Sequence, residues 1–455
     1  MNHVAARSRS LSNAMVACGA ASLGAVVGSL LAAPAGHAAA AAPATTLVSV
    51  NRDGTGSANA RSVAPSISAN GRIVAFQSRA TDLTTQGAAR GNIYVRDQNS
   101  GLTTLVSLGG TGGGGNGDSQ FPAVSGNGRF VAFQSTASDL TASDPDGRSD
   151  ILVRDLVTRT TTLASVNAAG PGGGNGESYA ASMSGSGRLV AFMSGASDLV
   201  AGDSNNSDDV LVRDLKLGTT TLVSVNLAGV APGNGASSFP KLSGNGRFVG
   251  FASTAEDLVA NDANGLRDVF LRDLRKRTTA LVSVNAAGTA SANGRSGDAT
   301  VSANGRFVAF GSNAIDLVAG KANPEYDIFV RDMKSGATRL VSVNAGGTGG
   351  GNGESFNPAI SADGRYVLFV SRASDLVPND GNGQGDIFLR DVKTGTTTLV
   401  SVNASGTGAG NGPSGNFGYP YLAAKGRIAV FDSAAADLAP NDANGADDIF
   451  VRILR

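Results

Sequence analysis

The sequence predicts an all-β protein, a seven-bladed β-propeller of four-stranded antiparallel blades, and three observations carry that prediction. One word recurs along the chain: at residues 302–310 it reads Ser-Ala-Asn-Gly-Arg-Phe-Val-Ala-Phe. Its arginine returns as Arg72, Arg129, Arg188, Arg247, Arg306, Arg365 and Arg427, spaced 57, 59, 59, 59, 59 and 62 residues apart. A period of this length marks a propeller or a solenoid. Each copy also breaks into four short apolar stretches separated by Gly, Asn, Asp and Thr, the punctuation of a meander. Finally, the chain opens on a fourth-strand sequence, Thr45 to Asn51, and closes on a third-strand sequence, Asp448 to Arg452. The first strand can therefore complete the last sheet and leave no open edge. An open solenoid would instead use distinct capping repeats.

Taken in order, the chain begins with Arg7 and Arg9, an apolar run from Ala14 to Ala33, and small residues around Gly36 to Ala40. Residues 1–38 read as a secretory signal peptide, with cleavage expected between 38 and 42. Residues 45–455 then form the propeller. No second apolar span or C-terminal anchoring tail follows, so the expected mature protein is exported, extracellular or periplasmic, without a membrane span, and monomeric.

Composition closes several functional classes. Both histidines, His3 and His37, and the only cysteine, Cys18, precede residue 39, and Trp is absent from all 455 residues. The remainder can hold no Ser-His-Asp triad, cysteine nucleophile, histidine-ligated metal or disulfide framework. The 36 basic and 36 acidic residues leave the part after residue 38 close to neutral. No basic stripe is present to neutralise phosphates, which argues against nucleic acid.

Within a blade the strands are lettered A to D in chain order. In the fourth copy they read as Phe239 to Ser243, Arg247 to Ser253, Asp268 to Leu274 and Thr278 to Asn285. The turn from A to B is Gly244-Asn245-Gly246, in which Asn-Gly supplies the positive φ values of a tight hairpin. Phe76, Phe133, Phe192, Phe251, Phe310, Phe369 and Phe431 hold one place in strand B of every copy. A position repeated so faithfully is core.

Ser-x-Asn-Gly-Arg followed by Phe-Val-Ala-Phe, then Asp-Ile-Phe-Val-Arg-Asp and a Thr-rich fourth strand, resembles the WD40-like (PD40) repeats of TolB-type β-propellers, whose usual turn is Ser-Pro-Asp-Gly-Lys. The resemblance spans nearly the whole chain after the leader. It implies the propeller fold and, at a distance, a protein-interaction role in the envelope. TolB pairs its propeller with an N-terminal α/β domain, for which this sequence leaves no room.

Function is expected on the face that carries the long D to A and B to C loops. The B to C loops repeat an acidic motif: Asp144, Asp146, Asp150; Asp203, Asn205, Asp209; Asp262, Asn264, Asp268; Asp380, Asn382, Asp386; and Asp442, Asn444, Asp448. The pattern is similar to the latter part of an Asp-x-Asp-x-Asp-Gly calcium loop, in which hard oxygens wrap one cation. The leading ligand of that loop is missing, since Ala142, Ala201, Ala260, Pro378 and Pro440 stand there. Calcium in five blades and a purely structural turn both remain open. The first copy lacks the motif between Gln86 and Asn92, and the fifth has Lys321 in place of the leading Asp.

Two other acids recur in nearly every blade and read as architecture: the Asp of Asp-Leu, such as Asp257, and the Asp of Arg-Asp, such as Asp273. A specific ligand should use what breaks the repeat. Six residues before each arginine, strand A carries Ser66, Ala123, Ser182, Lys241, Thr300, Ala359 and Tyr421. Lys241 and Tyr421 are the exceptions beside the expected central channel, and Tyr419 with Phe417 extends the aromatic cluster. Lys241, Tyr419 and Tyr421 are the candidate ligand residues.

The function expected from the sequence is a non-catalytic binding or scaffold protein for a protein or an extracellular polymer, with no cofactor other than the calcium just described. The alternatives are an extracellular glycan-processing enzyme built on paired carboxylates and a TolB-like envelope partner.

Overall fold

A computed structural model describes residues 44–454 apart from 87–89, 145 and 322; the expected signal peptide lies outside the described residues. All regular structure among the described residues is strand, 28 strands in seven four-stranded antiparallel sheets. Blade 4 is typical, with strands Ser237–Leu242, Phe248–Ser253, Asp268–Asp273 and Thr278–Leu281. Blade 7 draws Tyr421–Leu422, Ile428–Ser433 and Asp448–Ile453 from the end of the chain and Thr45–Leu47 from its start. Thr45 pairs with Arg452 and Leu47 with Phe450. The ring is closed by its own first strand.

Strand D is shorter than its sequence suggests. It ends at Leu281 and, in the closing strand, at Leu47. The reason is the serine that follows: Ser283 and Ser49 turn inward, and each hydroxyl donates to the first residue of strand C, Asp268 and Asp448, at 2.5 Å. The chain bends there, and a single bridge farther on, such as Val284 to Ser291, folds the D to A loop into a small hairpin.

Strand A, by contrast, starts earlier and contains a bulge. Its third residue is left-handed in six blades: Ala64, Phe121, Ala180, Phe239, Asp298 and Asn357 have φ between 48° and 54°. A non-glycine residue in that region is held at a cost. The bulge shifts the register, so that Ser238 pairs with Ala252 but Lys241 with Gly250. In four blades proline follows the bulged residue (Pro65, Pro122, Pro240, Pro358), a residue with no N–H to leave unpaired at the break.

The core lies between blades. Phe310 is fully buried and packs with Phe329 of its own blade and with Val269, Leu271 and Val282 of the preceding one. The rings of Phe310 and Phe329 stack with centroids 5.8 Å apart. Between the last and first blades, Val48, Val430, Ile449 and Val451 of blade 7 meet Phe76 and Tyr94 of blade 1, so the seam has the same kind of core as every other interface. Each buried Phe contributes about 1.5 to 3 kcal/mol of transfer free energy.

In the A to B turns only the glycine is left-handed, as in Gly246 at φ 71°; the asparagine works through its side chain instead. The Asn245 carboxamide oxygen accepts from the Ser243 hydroxyl at 2.7 Å and from the Arg247 N–H at 2.9 Å. These turns also bond to one another. The N–H groups of Ala69, Asn127, Gly185, Asn245, Ala303, Ala362 and Ala424 donate to Gly126, Gly185, Gly244, Ala303, Ala362, Ala424 and Ala69, at 2.9 to 3.1 Å. The circle ends where it began. Close approach demands small residues: a Cβ on Gly185 would sit 2.6 Å from the Gly244 carbonyl oxygen.

Candidate functional site

The acids shared by all or nearly all blades hold the scaffold. The Asp of Asp-Leu accepts from a backbone N–H of the preceding D to A loop, as in Asn234 to Asp257 at 2.9 Å and Asn293 to Asp316 at 3.0 Å. All seven copies make this bond. The Asp of Arg-Asp does two things at once. Asp273 takes an ion pair from Arg247 at 2.6 Å and caps its own turn by accepting from the Arg275 N–H at 3.0 Å. Six blades repeat the pair at 2.6 to 2.8 Å; blade 7 has Ile453 there.

Hydrogen bonds from these arginines hold the Asp273 and Asp391 carboxyls at about 2. A carboxyl lowered on folding stabilises the native state above its unfolded value of about 4. That stabilisation disappears as pH falls through the folded value. The melting temperature is therefore expected to drop between about pH 4 and pH 2. A variant carrying Asp273→Asn and Asp391→Asn should melt lower at neutral pH and lose less on acidification; thermal melts across that window check this.

The acidic B to C loops lie against the D to A loops, as expected. The Asn264 amide donates to the Ala292 carbonyl at 2.8 Å and to Asp268 Oδ2 at 2.7 Å, while its oxygen accepts from the Leu266 N–H at 2.7 Å. Asn382 and Asn444 repeat this arrangement. Asn205 keeps the two backbone bonds. These asparagines thus form the turn and tie the two loops together. Asp144, Asp146 and Asp150 bring one oxygen each within 4.8 Å of the others. Burial pushes Asp150 and Asp268 up to about 7, and Asp209 and Asp386 to about 6.

The symmetry-breaking residues meet across the channel. Lys241 of blade 4 reaches the Tyr421 hydroxyl of blade 7 at 3.3 Å, and its ammonium lies 4.5 Å from the Tyr419 ring centroid and 5.5 Å from that of Tyr421. The Tyr419 hydroxyl donates to Asp298 of blade 5 at 3.4 Å. Burial raises the Tyr419 phenol far above its usual range and raises the Asp298 carboxyl, which Arg267, Tyr419 and Lys241 pull back down. Asp298 was not legible as a site residue, although it is the one acid at the bulged position of strand A. Phe417 turns away and stacks under Arg61 at 3.9 Å.

Beside Lys241 lies a cavity of about 200 Å³, walled by Phe121, Tyr179, Met193, Phe239 and Tyr419. Among the described residues, Lys241 is the only Lys, Arg, Asp or Glu that lines it. Among the described residues no carboxylate forms an ion pair with that ammonium. Tyrosine faces and a phenol hydroxyl hold it instead.

Solved structures of low identity share this architecture. The β-propeller domain of the Trilobed protease from Pyrococcus furiosus, described as having an open velcro topology, matches with a TM-score of 0.50 at 10% identity over 86% of this chain and 93% of that one. A prolyl endopeptidase matches with 0.51 at 10% identity over 87% of this chain and 50% of that one. Both likenesses are to the fold. TolB from Acinetobacter baumannii matches at 15% identity with a TM-score of 0.39 over 68% of this chain, and this chain spans 58% of that TolB. No protein-family model and no curated protein matches the sequence. Unlike the Pyrococcus domain, this ring is closed by pairing of Thr45–Leu47 with Asp448–Ile453. Among the described residues no helix is long and apolar enough to cross a membrane.

Proposed function

We propose that the chain is an exported, non-catalytic binding propeller whose channel holds an acidic group carried on an apolar body and presented by a protein or extracellular polymer. The observation that carries this reading is the Lys241 ammonium, which among the described residues no carboxylate approaches within ion-pair distance and which faces an aromatic-walled cavity of about 200 Å³. Export rests on the leader-like residues 1–38. A non-catalytic role rests on the absence of His and Cys beyond residue 37 and on a cavity lined by no acid or base other than Lys241 and tyrosines. The TolB-type repeats accord with a partner-binding role.

A charged hydrogen bond is worth about 1.5 to 3 kcal/mol, so a carboxylate ligand should bind about tenfold or more tightly than its neutral counterpart. Calorimetric titration with 3-phenylpropionate and with 3-phenylpropanol tests this. The acid is expected to bind and the alcohol to bind at least tenfold more weakly, with the advantage gone in Lys241→Met. Equal binding of the two probes, or undiminished acid binding by Lys241→Met, contradicts the reading.

A further inference from the structure

Seven copies of one loop let the chain serve as its own control. Two positions matter, the first acid of the B to C motif and the first residue of strand C, six residues later. In blades 2, 3, 4, 6 and 7 both are aspartate: Asp144 and Asp150, Asp203 and Asp209, Asp262 and Asp268, Asp380 and Asp386, Asp442 and Asp448. Asp144 is 1% exposed and Asp262 5%, yet neither oxygen of either side chain receives a hydrogen bond. Asp150 and Asp209, at 0%, each leave Oδ2 without a donor. Buried carboxylates without donors are expensive and call for a counter-charge.

The two remaining blades supply that balance from within. In blade 5 the first acid is replaced by Lys321, whose side chain is fully buried. Its ammonium donates to the carbonyl oxygens of Asn323 and Glu325, both at 2.8 Å, and lies 3.4 Å from Asp327 Oδ2. In blade 1 the two positions are Gln86 and Asn92, so both charges are absent together. The Ser107 hydroxyl donates to Asn92 as the equivalent serines do to aspartate. Wherever the first acid is missing, the charge is settled inside the chain. Only where two acids face each other does a counter-charge have to come from outside.

We propose that blades 2, 3, 4, 6 and 7 each bind one calcium ion at the place that the Lys321 ammonium takes in blade 5. The ligands are the two aspartates and, by equivalence with Asn323 and Glu325, the carbonyl oxygens two and four residues after the first aspartate. In blade 4 these are Asp262, Asp268 and the carbonyls of Asn264 and Leu266. Blade 2 adds a third carboxylate, Asp146, within the same 4.8 Å cluster. A set of carboxylates and backbone carbonyls completed by water suits calcium, which takes 6 to 8 oxygens in adaptable geometry, better than magnesium, which demands an octahedron and keeps most of its water. This inference does not depend on the channel reading. The rival occupant is a proton shared by the two aspartates.

The test is calorimetric titration of the chelator-stripped chain with CaCl2, with melting temperature followed in parallel. Extracellular calcium modules bind at about 10⁻⁴ to 10⁻³ M, so about 5 mM CaCl2 suffices. Binding at five sites and a raised melting temperature are expected, since a ligand of the native state stabilises it. Asp262→Lys, which copies blade 5, should fold without calcium and bind one ion fewer. Lys321→Asp should bind one more. Absence of both heat and a shift in melting assigns the pairs to a shared proton and overturns the proposal. An unchanged stoichiometry in both variants overturns the site, and an equal response to MgCl2 overturns the choice of calcium.

Discussion

Deletion of residues 44–51 is expected to cost the chain most of its stability. The segment gives blade 7 its outer strand, pairing Thr45, Thr46 and Leu47 with Arg452, Val451 and Phe450. Val48, fully buried, belongs to the core between the last and first blades. Burial of such a side chain is worth about 1.5 to 3 kcal/mol. Ser49 adds a second loss: its hydroxyl donates to Asp448 at 2.5 Å and accepts from the Ile449 N–H at 2.9 Å. Without it two buried polar groups lose their partner, at about 1 to 3 kcal/mol each. The sum is comparable with the about 5 to 15 kcal/mol that holds a whole domain folded. A large fall in the urea midpoint, partly restored by adding the 44–51 peptide, is the expected result. A deletion variant that unfolds at the parental midpoint would show that the seam is not what closes the ring.

The second large effect is expected from Phe310→Ala. This ring is fully buried, stacks on Phe329 at 5.8 Å and fills the space between blades 4 and 5. A cavity of that size costs about 3 to 5 kcal/mol, because the surroundings relax only in part. Leu217→Ala is the control, since that side chain is 65% exposed and should change stability by no more than about 0.5 kcal/mol. Urea titration of the two variants separates them. Equal losses would mean that the strand B phenylalanines do not carry the interblade core.

The architecture was legible because repetition multiplies a weak signal. One Asn-Gly-Arg turn says little, but seven at nearly constant spacing set the blade number, and the unpaired first and last strands set the closure. The structural roles of Asp257 and Asp273 were legible for the same reason. Lys241, Tyr419 and Tyr421 stood out as departures from the repeat, and the structure brings the three together across the channel.

The strand A bulge was not legible, because positive φ at Phe239 or Ala64 has no glycine to announce it; the proline after it in four blades was the available sign. Asp298 was hidden likewise, being one acid among 36 acidic residues until the bulge places it beside Tyr419. Lys321 looked like the loss of an acidic motif. Its meaning appears only when its ammonium is seen between two carbonyls and Asp327.

The circle of turn-to-turn hydrogen bonds on the A to B face has a consequence for how the molecule can be approached. A helix ends in orphan N–H and C=O groups and so carries opposite partial charges at its two ends. Here each blade donates to the next in a constant rotational sense, and Ala424 donates to Ala69. The peptide dipoles chase one another round a loop that has no positive or negative pole. A foreign strand meeting that rim finds the donors of this circle already taken, and the charge that the rim presents comes instead from the half-exposed arginines beside it, six of them paired with aspartate.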